Sequence, residues 1–146
     1  MRDPIVVKIK KIMEEAIIPT YSKEGDACAD LYTVSRARLI PGEICRMHTG
    51  LAFEIPYGWR IDVRPRSGMA CVKQLLIPNS PGTIDAGYRG EMIVYLKNLS
   101  QDTIEINPYD RIAQIMIEPV YTMSFEEVDV LSTSERGGGG FGSTGS

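Results

Sequence analysis

The segment IPNSPGTIDAGYRGE, Ile77 to Glu91, sets one carboxylate, Asp85, at the end of an apolar run and surrounds it with backbone that carries few side chains. Asn79-Ser80-Pro81-Gly82 interrupts the chain, Thr83-Ile84 resumes it, and Gly87 and Gly90 flank Tyr88, a pattern that reads as a hairpin. A glycine-bordered hairpin lets its N–H and C=O groups approach the flat edge of a ligand, because no Cβ stands in the way. A carboxylate at its foot can act on that ligand as a general base. The same residues also suit an ordinary tight turn with a solvated aspartate, and the segment alone does not separate the two.

VRPRSGMA is the second such stretch. Arg64, Arg66, Ser67 and Gly68 offer two guanidinium forks, a hydroxyl and backbone N–H groups, which is equipment for phosphate oxygens. A short helix starting at SGMACV would add a favourable field for an anion, while the plain alternative is a strand end with solvated charges. GDACADLY carries Asp26 and Asp30, and YDRIAQIMI carries Asp110, Arg111 and Gln114; each alone also suits a turn, a cap or an exposed strand position. Magnesium takes carboxylate and phosphate oxygens together in preference to an all-protein cage, and Asp30 is a candidate carboxylate for it. The chain ends RGGGGFGSTGS, which lacks the lysine of a P-loop. A linker has no need of Arg136 or Phe141, whereas together they offer a phosphate fork and a stacking face on backbone free to wrap around a ligand.

These residues must be held by strands. IVVKIKKI, LYTVSRARLI, EICRMHTGLAFEI, GWRIDVRP, EMIVYLKNL, DTIEI and RIAQIMIEPV are rich in β-branched residues or alternate in polarity, with Pro and Gly turn signals between them. In GWRIDVRP, Trp59, Ile61 and Val63 are expected to face inward and Arg60, Asp62 and Arg64 outward. Between Ile17 and Val120 no apolar pattern of helical period is sustained, and SGMACVKQLL makes a few helical turns at most. The expectation is an all-β domain, leaving sandwich, jelly roll and distorted barrel open. The 146 residues fit one domain with its own core. A net charge of −3 argues against a nucleic-acid polymer as main partner but leaves room for a small anion met by a few arginines. Cys28, Cys45 and Cys71 form no C-x-x-C pair, and His48 is the single histidine, so a structural zinc site is not expected. The odd cysteine count, the lack of a signal peptide and the lack of a long apolar run suit a soluble protein of a reducing cytoplasm.

Taken in order, five segments resemble the five motifs of the trimeric dUTP pyrophosphatases (dUTPases): ACADLY, RPRSG, NSPGTIDAGYRGE, DRIAQIMI and RGGGGFGSTG. The likeness runs from about Ala27 to Gly145. It implies a jelly-roll-like distorted barrel that assembles as a threefold homotrimer, and hydrolysis of dUTP to dUMP and pyrophosphate with Mg²⁺. It implies residues 1–131 as the β-rich domain and 132–146 as a flexible arm closing over the site. By the same resemblance Asp85 activates the attacking water. Arg66, Ser67, Gly68, Gln114 and Arg136 hold the phosphates, and Asp30 serves Mg²⁺ through water. Asn79 and the main chain of Gly82, Thr83 and Ile84 read uracil, Tyr88 packs under the deoxyribose, and Phe141, Gly142, Ser143 and Thr144 close over the nucleotide. Each site would combine the first, second and fourth motifs of one chain with the third of another and the tail of a third chain. The sequence departs from the pattern at Cys28, where glycine is usual, at Gln74, which replaces a common glycine, and at Ala86-Gly87 in place of a frequent Ser-Asp. The alternatives are a dCTP deaminase relying on Glu91, and a regulatory protein that binds dUTP without needing turnover.

Overall fold

The structure is a computed structural model in which residues 3–140 are described. Its strands are β1 (Lys8–Lys11), β2 (Ala29–Tyr32), β3 (Ala37–Leu39), β4 (Ile44–Glu54) and β5 (Trp59–Arg64). They continue with β6 (Leu75–Leu76), β7 (Gly82–Ile84), β8 (Glu91–Asn98), β9 (Ile104–Ile106) and β10 (Arg111–Pro119). The one helical element among the described residues is a single π-type turn at Gly68–Val72, nucleated by the Arg66 carbonyl, which accepts from the amides of Met69 and Ala70 at 3.1 and 2.9 Å.

The strands form two four-stranded sheets, ordered β1-β4-β8-β6 and β2-β10-β5-β7, and a small β3-β9 pair. The fold is all-β, and its sheets stay open instead of closing into a barrel, so β7 ends one sheet as an edge strand. Strict alternation drives the assembly: in β8, Met92, Val94, Leu96 and Asn98 are buried while Ile93, Tyr95 and Lys97 lie on the opposite, less buried face. Those residues meet Leu31, Leu39, Met47 and Leu51 in one core, where each large aliphatic side chain contributes about 1.5–3 kcal/mol by leaving water.

Two local details depart from the simple alternation. Asp62 was expected to point into solvent but is buried, because Arg60 Nε and Arg64 Nη2 fold over its carboxylate at 2.9 and 3.3 Å; Trp59 is only partly buried. In β4 the register against β8 shifts between His48 and Ala52. Gly50 sits inside that kink at φ +68°, and a Cβ there would meet the Cβ atoms of Met13 and Ala16 at 3.0 Å, so no other residue fits without displacing the N-terminal segment. Gln74 adopts φ +54°, the left-handed conformation for which glycine is suited. Cys28, by contrast, has no positive φ, so a side chain there costs the backbone nothing.

Beyond β10 the Val120 amide donates to the Gly58 carbonyl at 2.8 Å. Past that bond Tyr121, Met123 and Phe125 are exposed, and residues 121–140 join no strand. No helix among the described residues is long and apolar enough to cross a membrane.

Candidate active site

Antiparallel pairing of β10 with both β2 and β5 places Gln114 opposite Asp30 on one side and Arg64 on the other. This register brings three separate stretches of sequence to one concavity of about 390 Å³, lined by Ser22, Asp26, Cys28, Asp30, Arg66, Ser67, Gly68 and Gln114, among others. Asp30 is its organising charge. Its Oδ1 accepts from Arg66 Nε at 2.7 Å, and its Oδ2 accepts from Ser22 Oγ at 3.0 Å and Arg111 Nη1 at 3.1 Å. Burial pushes the Asp30 carboxyl up, but the Ser22 hydroxyl, Arg111 and Arg66 outweigh it and hold the group below its ordinary value. Arg66 spends only Nε on this pair, so both terminal nitrogens of its fork stay free for an anion. Gln114 Nε2 donates to the Pro65 carbonyl at 3.0 Å, which fixes the turn leading into Arg66 and Ser67. Ser67 is exposed, and its hydroxyl makes no cap to the helical turn that follows. A concavity of about 400 Å³ on the other side of this turn shares Arg66 and Gly68 and is bordered by Arg111.

The segment from Gly82 to Glu91, expected as a hairpin, is instead a crossing between sheets: β7 pairs with β5 while β8 pairs with β4 and β6, so the 85–90 turn links the two sheets because each strand finds its partner elsewhere. This turn borders a second, smaller concavity of about 200 Å³, lined by Thr83, Ile84, Asp85, Tyr88, Glu91 and Ile93. β7 spends one edge on β5, in the register Ile61 to Ile84, and its other edge has no partner strand. Gly82 is buried against Val63 and the Asn79 amide, whose Nδ2 lies 3.3 Å from where a Cβ would stand, so a side chain there would push the Asn79 amide aside by a few tenths of an ångström. Asp85 is exposed, and its carboxylate has no hydrogen-bond partner among the described residues. The Tyr88 hydroxyl donates to the Glu91 carbonyl at 2.9 Å, and its ring lies over Gly90, where a Cβ would fall 2.6 Å from the ring carbon Cζ.

The two concavities have no lining residue in common, so the first, second and fourth motifs gather in one place and the third stands in another. Arg136 is exposed and donates from Nε to the Gly139 carbonyl at 2.9 Å. Phe141, Gly142, Ser143 and Thr144 lie outside the described residues. For a divalent cation, no group of three or more His, Cys, Asp or Glu side chains exists among the described residues. Asp26 and Asp30 are the acidic residues of the larger concavity, a donor set that suits a cation carried mainly by phosphate and water. Glu91 is not available for deamination chemistry: Oε1 accepts from the Gly50 amide at 2.8 Å and Oε2 lies 2.9 Å from His48 Nδ1.

Sequence reasoning singled out Asp30 as a carboxylate for metal but did not see its grip on Arg66 and Arg111. Opposite charges 36 and 81 positions apart leave no local signal. Ser22 carried no signal at all.

The family model described as dUTPase matches residues 14–145. The deoxyuridine 5'-triphosphate nucleotidohydrolase of Nautilia profundicola is 48% identical over 139 residues, covering 95% of this chain and 98% of that protein. The protein of the same name from Clostridioides difficile is 44% identical, covering 95% and 97%. The structure of the Staphylococcus bacteriophage 80alpha dUTPase with dUPNHPP superposes with a TM-score of 0.87 at 28% identity, covering 97% of this chain and 99% of that one. A variant of the dUTPase from phage phi11 of S. aureus, described as revealing the coordination of a structural Mg(II) ion, gives a TM-score of 0.79 at 25% identity, with coverages of 86% and 97%.

Proposed function

The chain belongs to the dUTPase family and hydrolyses dUTP to dUMP and pyrophosphate, and we propose that Asp85 is the base that activates the attacking water at the α-phosphorus. The observation that carries this assignment is an exposed carboxylate without a partner among the described residues, at the foot of an edge strand whose outer main chain pairs with no described strand. Such a group can accept a proton from water without first breaking a bond to the protein.

Arg66 binds the phosphate chain with the two nitrogens that Asp30 leaves unused, and Ser67 donates to the oxygen between the α- and β-phosphates. The amides around Gly68 and the Arg136 fork complete the phosphate contacts, while Gln114 keeps the Pro65 to Ser67 turn in place. Uracil pairs with the free main chain of Gly82, Thr83 and Ile84 and with Asn79. Tyr88 packs against the deoxyribose, where its ring is held flat over Gly90. A site that leaves a buried polar group unpaired by the wrong base discriminates more strongly than one that only crowds it. Mg²⁺, when bound, supplies charge neutralisation on the departing pyrophosphate and is held by phosphate oxygens with Asp30 acting through water.

The assembly that goes with this reading is the family's homotrimer, in which the 82–90 segment of a neighbour faces Arg66 and Ser67; the separation of the Asp85 concavity from the Arg66 concavity in one chain is in keeping with it. Residues 132–146 of a third chain, with Phe141 over the uracil and Gly142, Ser143 and Thr144 beside the phosphates, act as the closing arm. Cytoplasmic action goes with this reading, in keeping with the free cysteines Cys28, Cys45 and Cys71.

Pyrophosphate release from dUTP, dTTP, dCTP and UTP tests the assignment, with dUTP as the preferred substrate. Asp85→Asn keeps nucleotide affinity and abolishes turnover; turnover at the unsubstituted rate would remove Asp85 from the water-activating role.

A further inference from the structure

Glu91 lies at the floor of the concavity that holds Asp85 and Tyr88, yet both of its carboxylate oxygens point to β4. Oε1 takes the Gly50 amide and Oε2 pairs with His48, the two residues that begin the register shift of β4. The kink itself is fixed from its other side, since the Gly50 carbonyl accepts from the amides of Ile12 and Met13 at 2.7 and 3.3 Å. The main chain of the same glutamate accepts the Tyr88 hydroxyl. One residue therefore joins a rigid kink, through its side chain, to the ring that faces the sugar, through its carbonyl.

We propose that Glu91 is the positioning residue of the 85–90 turn: it latches the base of that turn to the β4 kink through Gly50 and His48, and so sets the depth of Tyr88 and with it the rejection of ribose. This rests on the reading of Tyr88 as the residue against the sugar. The turn is exposed from Gly87 to Gly90 and spans from β7 in one sheet to β8 in the other, so no strand pairing holds it. The latch is charged where it matters. Burial pushes the Glu91 carboxyl up, but His48, the Gly50 amide and, at longer range, Arg46 together leave it below its ordinary value. An ionised carboxylate accepting an amide N–H is among the stronger hydrogen bonds a protein makes, which suits a device that must hold a fraction of an ångström.

The test compares kcat/KM for dUTP and for UTP in the full-length enzyme. Glu91→Asp keeps the charge but is one methylene too short to hold Gly50 and His48 together, and it lowers the dUTP over UTP ratio about tenfold, the scale expected for a sub-ångström misplacement. The loss resides in KM for dUTP and in a gain with UTP, with kcat for dUTP little changed. Glu91→Gln offers the Gly50 amide an acceptor and His48 a donor, and it restores most of the ratio. A purely structural role would lower both substrates together and leave their ratio intact, which overturns the proposal. Tyr88→Ala separates the two levels of the argument. If that change leaves the ratio untouched, the reading of Tyr88 fails; if it abolishes the ratio while Glu91→Asp does not, the latch alone fails. Combining Glu91→Asp with Tyr88→Ala adds no further loss of discrimination, and an additive loss likewise counts against the latch.

Discussion

Replacing Asp30 by Asn removes the charge that gathers Arg66, Arg111 and Ser22 while keeping the shape of the side chain. Two unit charges about 4 Å apart attract by about 4 kcal/mol at the effective dielectric of a protein surface. Desolvation cancels much of that for a carboxylate as covered as Asp30, whose side chain is 10% exposed. Arg111 is 47% exposed, so its share is that of a surface pair, about 0.2–1 kcal/mol. Arg66 is 27% exposed and donates at 2.7 Å, so its share is that of a hydrogen bond to a charged group, about 1.5–3 kcal/mol. The expected loss is about 2–3 kcal/mol in stability, or roughly 5–10 °C in melting temperature for a chain of this size. Released from Asp30, the Arg66 fork no longer points at the phosphates, and kcat/KM for dUTP falls by about tenfold to a hundredfold.

The pH dependence carries a definite sign. The Asp30 carboxyl is held below its ordinary value, so its contribution is complete above the unfolded value of about 4 and fades as pH falls through the lower folded value. The stability difference between the native protein and Asp30→Asn is therefore constant near neutrality and shrinks below about pH 4. Calorimetry across pH 3–7 together with pyrophosphate release measures both effects. An Asp30→Asn protein that melts where the native one does, and differs only in its Mg²⁺ requirement, would show that Asp30 serves the cation and that the arginine clamp has no weight.

Two further outcomes follow from the backbone and the tail. Gln74→Gly relieves a left-handed residue that costs about 1–2 kcal/mol, offset by the greater freedom of glycine in the unfolded chain, so urea unfolding should show a net gain of about 0.5–1 kcal/mol. An equal or lower stability would mean that the Gln74 side chain offsets its own strain. Removing residues 132–146 leaves the melting temperature nearly unchanged, since among the described residues no strand lies beyond Pro119, but lowers dUTP turnover severely. Full activity after truncation would exclude the arm from the site.

The order of strands was legible because β-branched residues and turn signals alternate plainly along the chain; each anticipated stretch holds a strand, but LYTVSRARLI divides between β2 and β3, and the expected hairpin spans two sheets because β7 and β8 pair elsewhere. What resisted reading was chemistry that acts across the sheet. Asp62 alternates like a solvent-facing residue, yet two arginines from its own strand fold down and bury it. Asp30 was visible as a carboxylate near a strand start, but its partners are set by the β2-β10-β5 register, which no local pattern encodes. Glu91 stood in the sequence as a rival catalytic group; only the register shift in β4 shows its oxygens committed to Gly50 and His48. Gln74 is the instructive departure, because the backbone there keeps a glycine-like conformation although the residue has changed.

The unpaired outer edge of β7 has a bearing on how such a protein tolerates change. On the proposed reading β7 meets the base through peptide groups, atoms common to nearly every amino acid, so replacing the exposed Thr83 side chain would alter no donor or acceptor of that edge. This share of the selectivity would be lost by moving the peptide plane. The positions exposed to that loss are those that seat the strand, Gly82 against Val63 and Asn79, rather than Thr83 itself.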